Sequence, residues 1–234
     1  MVQQIFREHG GIDVFSVFDR GWFDKYISES CYGKLAEQYR DKEIIWNVKF
    51  FGGIGHLSRK GSVWERKTGK LLNDLPAFMK GFSKVLQNME SAALIIVLDN
   101  DKRDVLQFRQ QLENVAVSNI VLCDYVFCIA VKEMEAWLLG DSQAIREAYP
   151  NAKMQFMKKY KQDAICETWE VLADIVYPQG YLKLKKRAVG NYSEIGDAKC
   201  EWVDKIGRCL RLHENISPSY QYFIGELEKR ILAS

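Results

Sequence analysis

The sequence predicts an α/β fold in which a mostly parallel sheet is flanked by helices and followed by a C-terminal helical lobe. Two observations predict this fold. Short apolar segments alternate with amphipathic ones over the first part of the chain, which is the pattern of strands joined by helices. The segment Ala93–Leu98 is apolar without interruption, and such a strand is typically parallel and covered on both faces.

Four segments of the first part are predicted to be strands, because β-branched and aromatic residues concentrate in them. They are residues 12–18, 44–53, 93–99 and 124–131. Helices are expected at residues 22–39, at residues 73–89 and after Asp101. For the second of these helices, Asn73 or Asp74 is the expected cap, and Pro76 is expected in the first turn.

The second part of the chain is predicted to be helical. Helices are expected at residues 141–150, 166–177 and 196–210, and from Ser217 onward. Asp141 is the expected cap of the first helix, and Ser217, followed by Pro218, is the expected cap of the last. We therefore divide the chain into an α/β core at 1–140 and a helical lobe at 141–234, packed together as one unit.

Composition excludes several classes of protein. With 33 basic and 31 acidic residues, the formal charge of +2 predicts no partner, so any nucleic-acid surface must be a local patch. The six cysteines form no C-x-x-C pair, which argues against a zinc site and for a reducing compartment. No apolar run approaches the ~18 residues of a membrane span, and no signal-peptide stretch opens the sequence. We expect a soluble cytoplasmic protein without a membrane partner.

Two carboxylates stand where the buried third strand ends, at Asp99 and Asp101. This is the edge at which open α/β sheets bind ligands, and residues i and i+2 of an extended segment point the same way. Two negative charges at this short distance repel each other unless a proton or a cation lies between them. Mg²⁺ prefers oxygen ligands such as these carboxylates. The alternative is that one of the two aspartates caps the next helix.

A second acidic group follows the fourth strand, at Glu133, Glu135 and Asp141. If Glu133 and Glu135 lie on an extended strand end, they share a face and could join the first pair. On a helix they do not share a face, and one of them would point to solvent. The alternative is therefore a solvated helix start, where the helix dipole favours acidic residues.

Four sequence blocks carry a resemblance to a known family. They are LIIVLDNDKRDVLQFRQQLE, IAVKEMEAWLLGDSQAIREAYP, QDAICETWEVLA, and IGDAKCEWVDKIG with the later ENISPSYQYF. In this order they resemble the DUF4276 family, a bacterial group with a Toprim-like fold. The resemblance covers roughly Val14 to Leu227, and EMEAWLLGD with the later TWE is its most specific part.

The resemblance implies a Toprim-type metal site that binds Mg²⁺ or Mn²⁺. The family's D-x-D corresponds to Asp99 and Asp101, and its E-x-E to Glu133 and Glu135. Asp99 and Asp101 would be the principal ligands. Glu133 or Glu135 would complete a second metal position or act as the base, and the sequence does not assign these roles. The implied chemistry is phosphodiester cleavage.

The first-strand motif departs from the family pattern. Phe18 occupies the position where the family tends to have a glutamate, and Asp19 is the next residue. A strand neighbour points to the opposite face unless the chain bends, so Asp19 is the remaining candidate for the first acidic ligand.

Basic residues are candidates for nucleic-acid contact, because phosphate backbones attract them. We interpret two stretches as flexible basic loops that carry an aromatic residue, HLSRKGSVWERKTGK and YLKLKKRAVGNY. The candidate residues are Arg59, Lys60, Arg66, Lys67, Lys185, Lys186, Arg187 and, from the family pattern, Lys199. The alternative is that these side chains only keep the protein soluble.

Three functional hypotheses follow. The first is a Mg²⁺-dependent Toprim-like nuclease or nuclease-like effector in bacterial phage defence, acting on DNA or RNA with a separately encoded ABC- or SMC-like ATPase. The second is a catalytically degraded subunit that binds nucleic acid or the ATPase. The third is a phosphoryl-transfer enzyme acting on small molecules, which a small closed pocket would favour.

Overall fold

The computed structural model describes residues 11–19, 21–55, 57, 69–89, 91–189, 191 and 193–234. Four strands lie within these ranges: β1 Gly11–Phe18, β2 Glu43–Phe50, β3 Ala92–Asp99 and β4 Asp124–Ala130. They form one sheet in the order β2-β1-β3-β4, and every neighbouring pair is parallel. The predicted α/β class is confirmed, and the arrangement is consistent with a Toprim-like fold.

The helices of the described chain flank this sheet and fill the C-terminal part. They are α1 Gly21–Gln38, α2 Leu71–Leu86, α3 Val105–Ser118, α4 Glu135–Leu139, α5 Ser142–Ala148, α6 Thr168–Val176, α7 Gly180–Arg187, α8 Ser193–Cys209 and α9 Pro218–Ala233. A short 3₁₀ helix, Met154–Lys159, precedes α6. In the described ranges no helix has the length and apolar character needed to cross a membrane.

Each face of the sheet packs against a different set of helices. Residues of α2 and α3 form one buried cluster with one face, and residues of α1, α4, α6, α8 and α9 form a larger cluster with the other. β3 lies between β1 and β4, and all of its residues are buried. This burial on both faces is the physical reason for the uninterrupted apolar sequence of β3.

The predicted start of α2 is wrong. The helix begins at Leu71, before the expected caps Asn73 and Asp74. The amides of Leu71 and Leu72 donate to backbone carbonyls of the preceding loop at 3.0 and 2.8 Å, so the backbone replaces a side-chain cap. Pro76 therefore lies inside the helix and not in its first turn.

The interpretation of the second basic stretch as a loop is also wrong, because its residues 181–187 belong to α7. Leu184 and Ala188 are buried and lie four residues apart, which gives this helix an apolar side. The ring of Tyr181 packs edge-on against Trp169 of α6, with 5.2 Å between the ring centroids. Packing against α6 therefore makes this segment helical despite its run of charged residues.

The predicted start of α9 is confirmed. Ser217 is the N-cap, its hydroxyl accepts the Tyr220 amide at 3.4 Å, and Pro218 is the first helical residue. Phe223 of this helix stacks on Trp137 of α4 with 5.2 Å between the ring centroids. The aromatic side chains of α9 thus fix α4, and with it the segment after β4, against the sheet.

Candidate functional site

The acidic residues predicted from the sequence lie at the carboxyl edge of the sheet. They follow or end three neighbouring strands: Asp19 after β1, Asp99 and Asp101 at the end of β3, and Glu133 and Glu135 after β4. Asp99 is in register with Ala130 of β4, and the Asp101 amide donates to the Lys132 carbonyl at 2.9 Å. The segments that follow β3 and β4 therefore stay side by side.

Asn100, between the two aspartates, joins these segments. Its buried side chain accepts the Lys132 amide at 2.5 Å through Oδ1 and donates to the Arg103 carbonyl at 2.6 Å through Nδ2. Buried amide groups need such partners, because an unmade hydrogen bond costs about 1–3 kcal/mol. Asn100 therefore fixes the backbone segment that carries Asp99 and Asp101, a role that the sequence analysis did not predict.

Neither aspartate caps the next helix. The N-cap of α3 is Asp104, whose Oδ1 accepts the Gln107 amide at 2.9 Å. Asp99 is the last residue of β3 and is buried, whereas Asp101 lies in the turn with φ of 49° and forms an ion pair of 3.2 Å with Arg103. The capping alternative is wrong for both residues.

Phe18 lies on the sheet face that carries Asp99. It is in register with Val97 of β3, and both residues belong to the same buried cluster. The ring of Phe18 packs against Phe50 and Phe223 with centroid separations of 5.9 and 6.4 Å. Aromatic packing therefore occupies the position where the resemblance implies an acidic ligand. Asp19 is buried at the bend that follows β1.

Glu135 and Lys199 form an ion pair inside the protein. Glu135 begins α4 with its side chain 0% exposed, and its Oε1 lies 2.7 Å from Nζ of Lys199 on α8. Lys199 is 20% exposed and lies over the Trp169 ring at 5.0 Å from the centroid. The solvated-helix alternative is therefore wrong for Glu135, and the Lys199 ammonium faces a carboxylate of the candidate site.

Glu133 is held by hydrogen bonds from the start of α6. Its Oε2 accepts the Thr168 hydroxyl at 2.6 Å and the Thr168 amide at 3.1 Å. Burial and the charge of Glu135 raise the pKa of Glu133, and the hydrogen bonds from Thr168 partly offset this rise. The structure therefore brings Glu133, Glu135, Thr168 and Lys199 together.

Glu170 is an acidic residue of this region that sequence reasoning missed. Its Oε2 is buried and has no hydrogen-bond partner among the described residues. The pKa of Glu170 is raised by burial and by the negative charge of Glu133, and Lys199 lowers it. Thr168 and Glu170 belong to the TWE sequence block, which was the available signal for both.

A buried hydroxyl connects the start of α9 to the segments around the site. Ser219 Oγ accepts the Trp137 indole N–H at 2.9 Å and the Val131 amide at 3.3 Å. It donates to Asp163 Oδ2 at 3.5 Å, and burial raises the pKa of that aspartate. Trp137, Val131 and Asp163 come from three segments, so one hydroxyl fixes all three.

Asp141, the third acid of the second group, has a structural role. It caps α5 by accepting the Ala144 amide at 3.0 Å, as predicted. Its two oxygens also accept Nη2 and Nε of Arg211 at 2.5 and 3.0 Å. Burial opposes ionisation of Asp141, but these hydrogen bonds hold its pKa below the ordinary value.

Apart from Lys199, which lies on α8 and pairs with Glu135, the predicted nucleic-acid contacts fall into two groups. Arg59, Lys60, Arg66 and Lys67 lie outside the described residues. On α7, Lys185 donates to the Tyr181 hydroxyl at 2.9 Å, Arg187 pairs with Glu194 at 2.7 Å, and Lys186 is exposed. These three residues lie on a helix that packs against α6 and α8.

A cavity of about 620 Å³ lies elsewhere, between the segment after α5, the end of α6 and α8. Its lining includes Tyr149, Lys153, Tyr177, Glu201 and Trp202, and none of the predicted acidic site residues. This cavity is therefore separate from the acidic site. It lends no support to the third functional hypothesis, a phosphoryl-transfer enzyme acting on small molecules.

The acidic residues fit only one kind of metal site. In the part of the chain that the structure describes, no three histidine, cysteine, aspartate or glutamate side chains are close enough to hold an ion. Carboxylate oxygens nevertheless suit Mg²⁺ and Mn²⁺, and Mg²⁺ often takes one or two carboxylates and keeps several waters. The residues therefore fit a site with one or two protein ligands, and they do not fit one enclosed by three or more.

Comparison with known proteins assigns neither a family nor a function to this site. No family model, curated protein or solved structure matches the chain. The site is therefore defined by its own residues: Asp99 and Asp101 on one segment, Glu133 and Glu135 on the next, and Lys199, Thr168 and Glu170 from the helical part.

Proposed function

We propose that this chain is a divalent-metal-dependent phosphodiester hydrolase of the nuclease type. The observation that carries the proposal is the concentration of carboxylates at the carboxyl ends of neighbouring parallel strands, with Asp99 and Glu135 buried there. Carboxylate oxygens are ligands that suit Mg²⁺ and Mn²⁺, and the carboxyl edge of a parallel sheet is where open α/β folds bind ligands. A cation-dependent reaction at this edge gives these carboxylates a function.

The residues of the candidate site would have different roles in the proposed reaction. Asp99 and Asp101 would hold Mg²⁺ or Mn²⁺, which when bound supplies polarisation of the phosphoryl oxygen and a more acidic water. Lys199 holds Glu135 in place through an ion pair of 2.7 Å. Glu133 would accept the proton of the attacking water, because its environment favours proton binding more than that of an exposed glutamate.

The resemblance to the DUF4276 family extends the proposal to a biological setting. It supports an effector in bacterial phage defence that works in the cytoplasm with a separately encoded ABC- or SMC-like ATPase. The substrate would be DNA or RNA. Lys185, Lys186 and Arg187 on α7 would contribute to phosphate contact, together with the basic residues outside the described ranges.

A cleavage assay tests the proposed reaction. Purified protein is incubated with plasmid DNA, single-stranded DNA and RNA, with Mg²⁺ or Mn²⁺ and with EDTA. We expect metal-dependent cleavage that Asp99→Asn abolishes, since the amide loses the charge while keeping the shape. Asp104→Asn is the matched control, because Asp104 caps α3 in the described part of the chain and asparagine caps equally well. Equal cleavage by wild type and Asp99→Asn would refute the proposal.

A second candidate function is a binding subunit without catalysis. Two observations favour it: Phe18 occupies the implied position of the first acidic ligand, and Lys199 already neutralises Glu135. Such a subunit would retard nucleic acid in a gel-shift assay, and it would not cleave the nucleic acid whichever divalent metal ion is added. Retardation that survives Asp99→Asn and is lost when Lys185 and Lys186 are changed to glutamate would support this function over hydrolysis.

A further inference from the structure

We propose that Thr168 is a positioning residue that makes Glu133 the reactive glutamate of the site, while Lys199 makes Glu135 the fixed one. The inference rests on the proposed hydrolase function and assigns the roles that the sequence left open between the two glutamates. It is carried by the different partners that each carboxylate has in the structure.

Two hydrogen bonds from one residue hold one oxygen of Glu133. Thr168 is 0% exposed, and both its hydroxyl and its amide donate to Oε2, at 2.6 and 3.1 Å. Hydrogen bonds to a charged acceptor are stronger and more directional than neutral ones. Among the described residues none donates to Oε1, so the second oxygen of Glu133 keeps its lone pairs for another group.

Glu133 also takes the place of the helix cap of α6. The N-cap position belongs to Glu167, which makes no side-chain capping bond. The carboxylate of Glu133, 35 residues earlier in the chain, accepts the first amide of the helix instead. Because a helix N-terminus favours negative charge, this contact orients Glu133 and stabilises its ionised form.

Glu135 has the opposite environment. Its carboxylate is 0% exposed and in direct contact with Lys199, so it cannot turn toward a reacting group without leaving a buried charge uncompensated. Glu133 is less buried than Glu135 and has an oxygen that no described residue engages. Position and partners together separate the two glutamates into a reactive and a fixed carboxylate.

The test compares Thr168→Val, which keeps the shape and loses the hydroxyl, with Thr168→Ser, which keeps the hydroxyl. Cleavage of the best substrate is measured at saturating Mn²⁺. We expect Thr168→Val to lower kcat about 10–100-fold with KM unchanged, as outer partners of functional carboxylates do. Thr168→Ser should restore most of kcat. Glu167→Gln is the matched control at the neighbouring position and should behave as wild type.

A second variant keeps the test informative if Thr168→Val does not fold. Glu133→Asp retains the carboxylate but shortens it by one methylene, which withdraws it from Thr168, so we expect a similar loss of kcat. Wild-type kcat in either Thr168→Val or Glu133→Asp would overturn the inference while leaving the hydrolase proposal intact. A wild type inert toward every substrate and metal would instead overturn the hydrolase proposal and this assignment with it.

Discussion

Removing the ammonium of Lys199 should destabilise the protein strongly, and Lys199→Met is the substitution that isolates this effect. Methionine keeps most of the aliphatic side chain, but it removes the ammonium that pairs with Glu135 and lies over the Trp169 ring. Breaking a buried ion pair from one side costs about 3–5 kcal/mol, because the remaining charge is left uncompensated. Since Lys199 is 20% exposed, solvent partly screens the ion pair in the wild type, and we expect the lower end of this range, about 3 kcal/mol.

The free energy of unfolding is measured by urea denaturation followed by tryptophan fluorescence, with a thermal scan beside it. For a chain of this size, about 3 kcal/mol corresponds to a fall in Tm of roughly 6–12 °C. The double variant Glu135→Gln/Lys199→Met should recover part of the loss, because it removes the buried charge as well.

The same helix provides a matched control. Lys205 on α8 pairs with Glu201 at 2.6 Å, but the two side chains are 49% and 56% exposed. An exposed pair of this kind contributes about 0.3–0.5 kcal/mol, so Lys205→Met should be nearly neutral. If Lys199→Met costs no more than Lys205→Met, the description of Glu135 as a buried carboxylate held by Lys199 is refuted.

Two further predictions concern buried polar groups. Ser219→Ala removes the acceptor of the Trp137 indole N–H and should cost about 1–3 kcal/mol in urea denaturation; an unchanged midpoint would contradict that role. Asp141 has a pKa below its ordinary value of about 3.9, so it contributes stability above that pH and loses it as pH falls through the folded-state pKa. Asp141→Asn should therefore be destabilised by about 1.5–3 kcal/mol at pH 7 and the gap should close on acidification, whereas a pH-independent gap would contradict the assignment.

The elements that could be predicted from the sequence are those specified by local pattern. The uninterrupted apolar run of β3 predicted a strand covered on both faces, and Ser217 with Pro218 predicted the start of α9. The start of α2 could not be predicted, because distant loop carbonyls replace the side-chain cap. The helical state of α7 was missed because it depends on packing against Trp169, whereas the sequence shows mainly its lysines.

The candidate site could be located from the sequence but not assembled from it. The acids at the ends of β3 and β4 mark its position, since parallel strands bring their carboxyl ends to one edge. Their partners come from far along the chain: Asn100 bonds the Lys132 amide across 32 residues, and Thr168 bonds Glu133 across 35. Which carboxylate meets which partner depends on tertiary packing, so the residues alone left the roles of Glu133 and Glu135 open.

The measurement that tests the central claim most directly is a calorimetric titration of the purified protein with Mn²⁺. Wild type is compared with Asp99→Asn/Asp101→Asn and with the Asp104→Asn control. We predict saturable binding at or below millimolar Mn²⁺ in wild type and in the control, and its loss in the double variant. Binding that is equal in all three proteins, or absent in wild type at millimolar Mn²⁺, would contradict a metal site at this edge of the sheet.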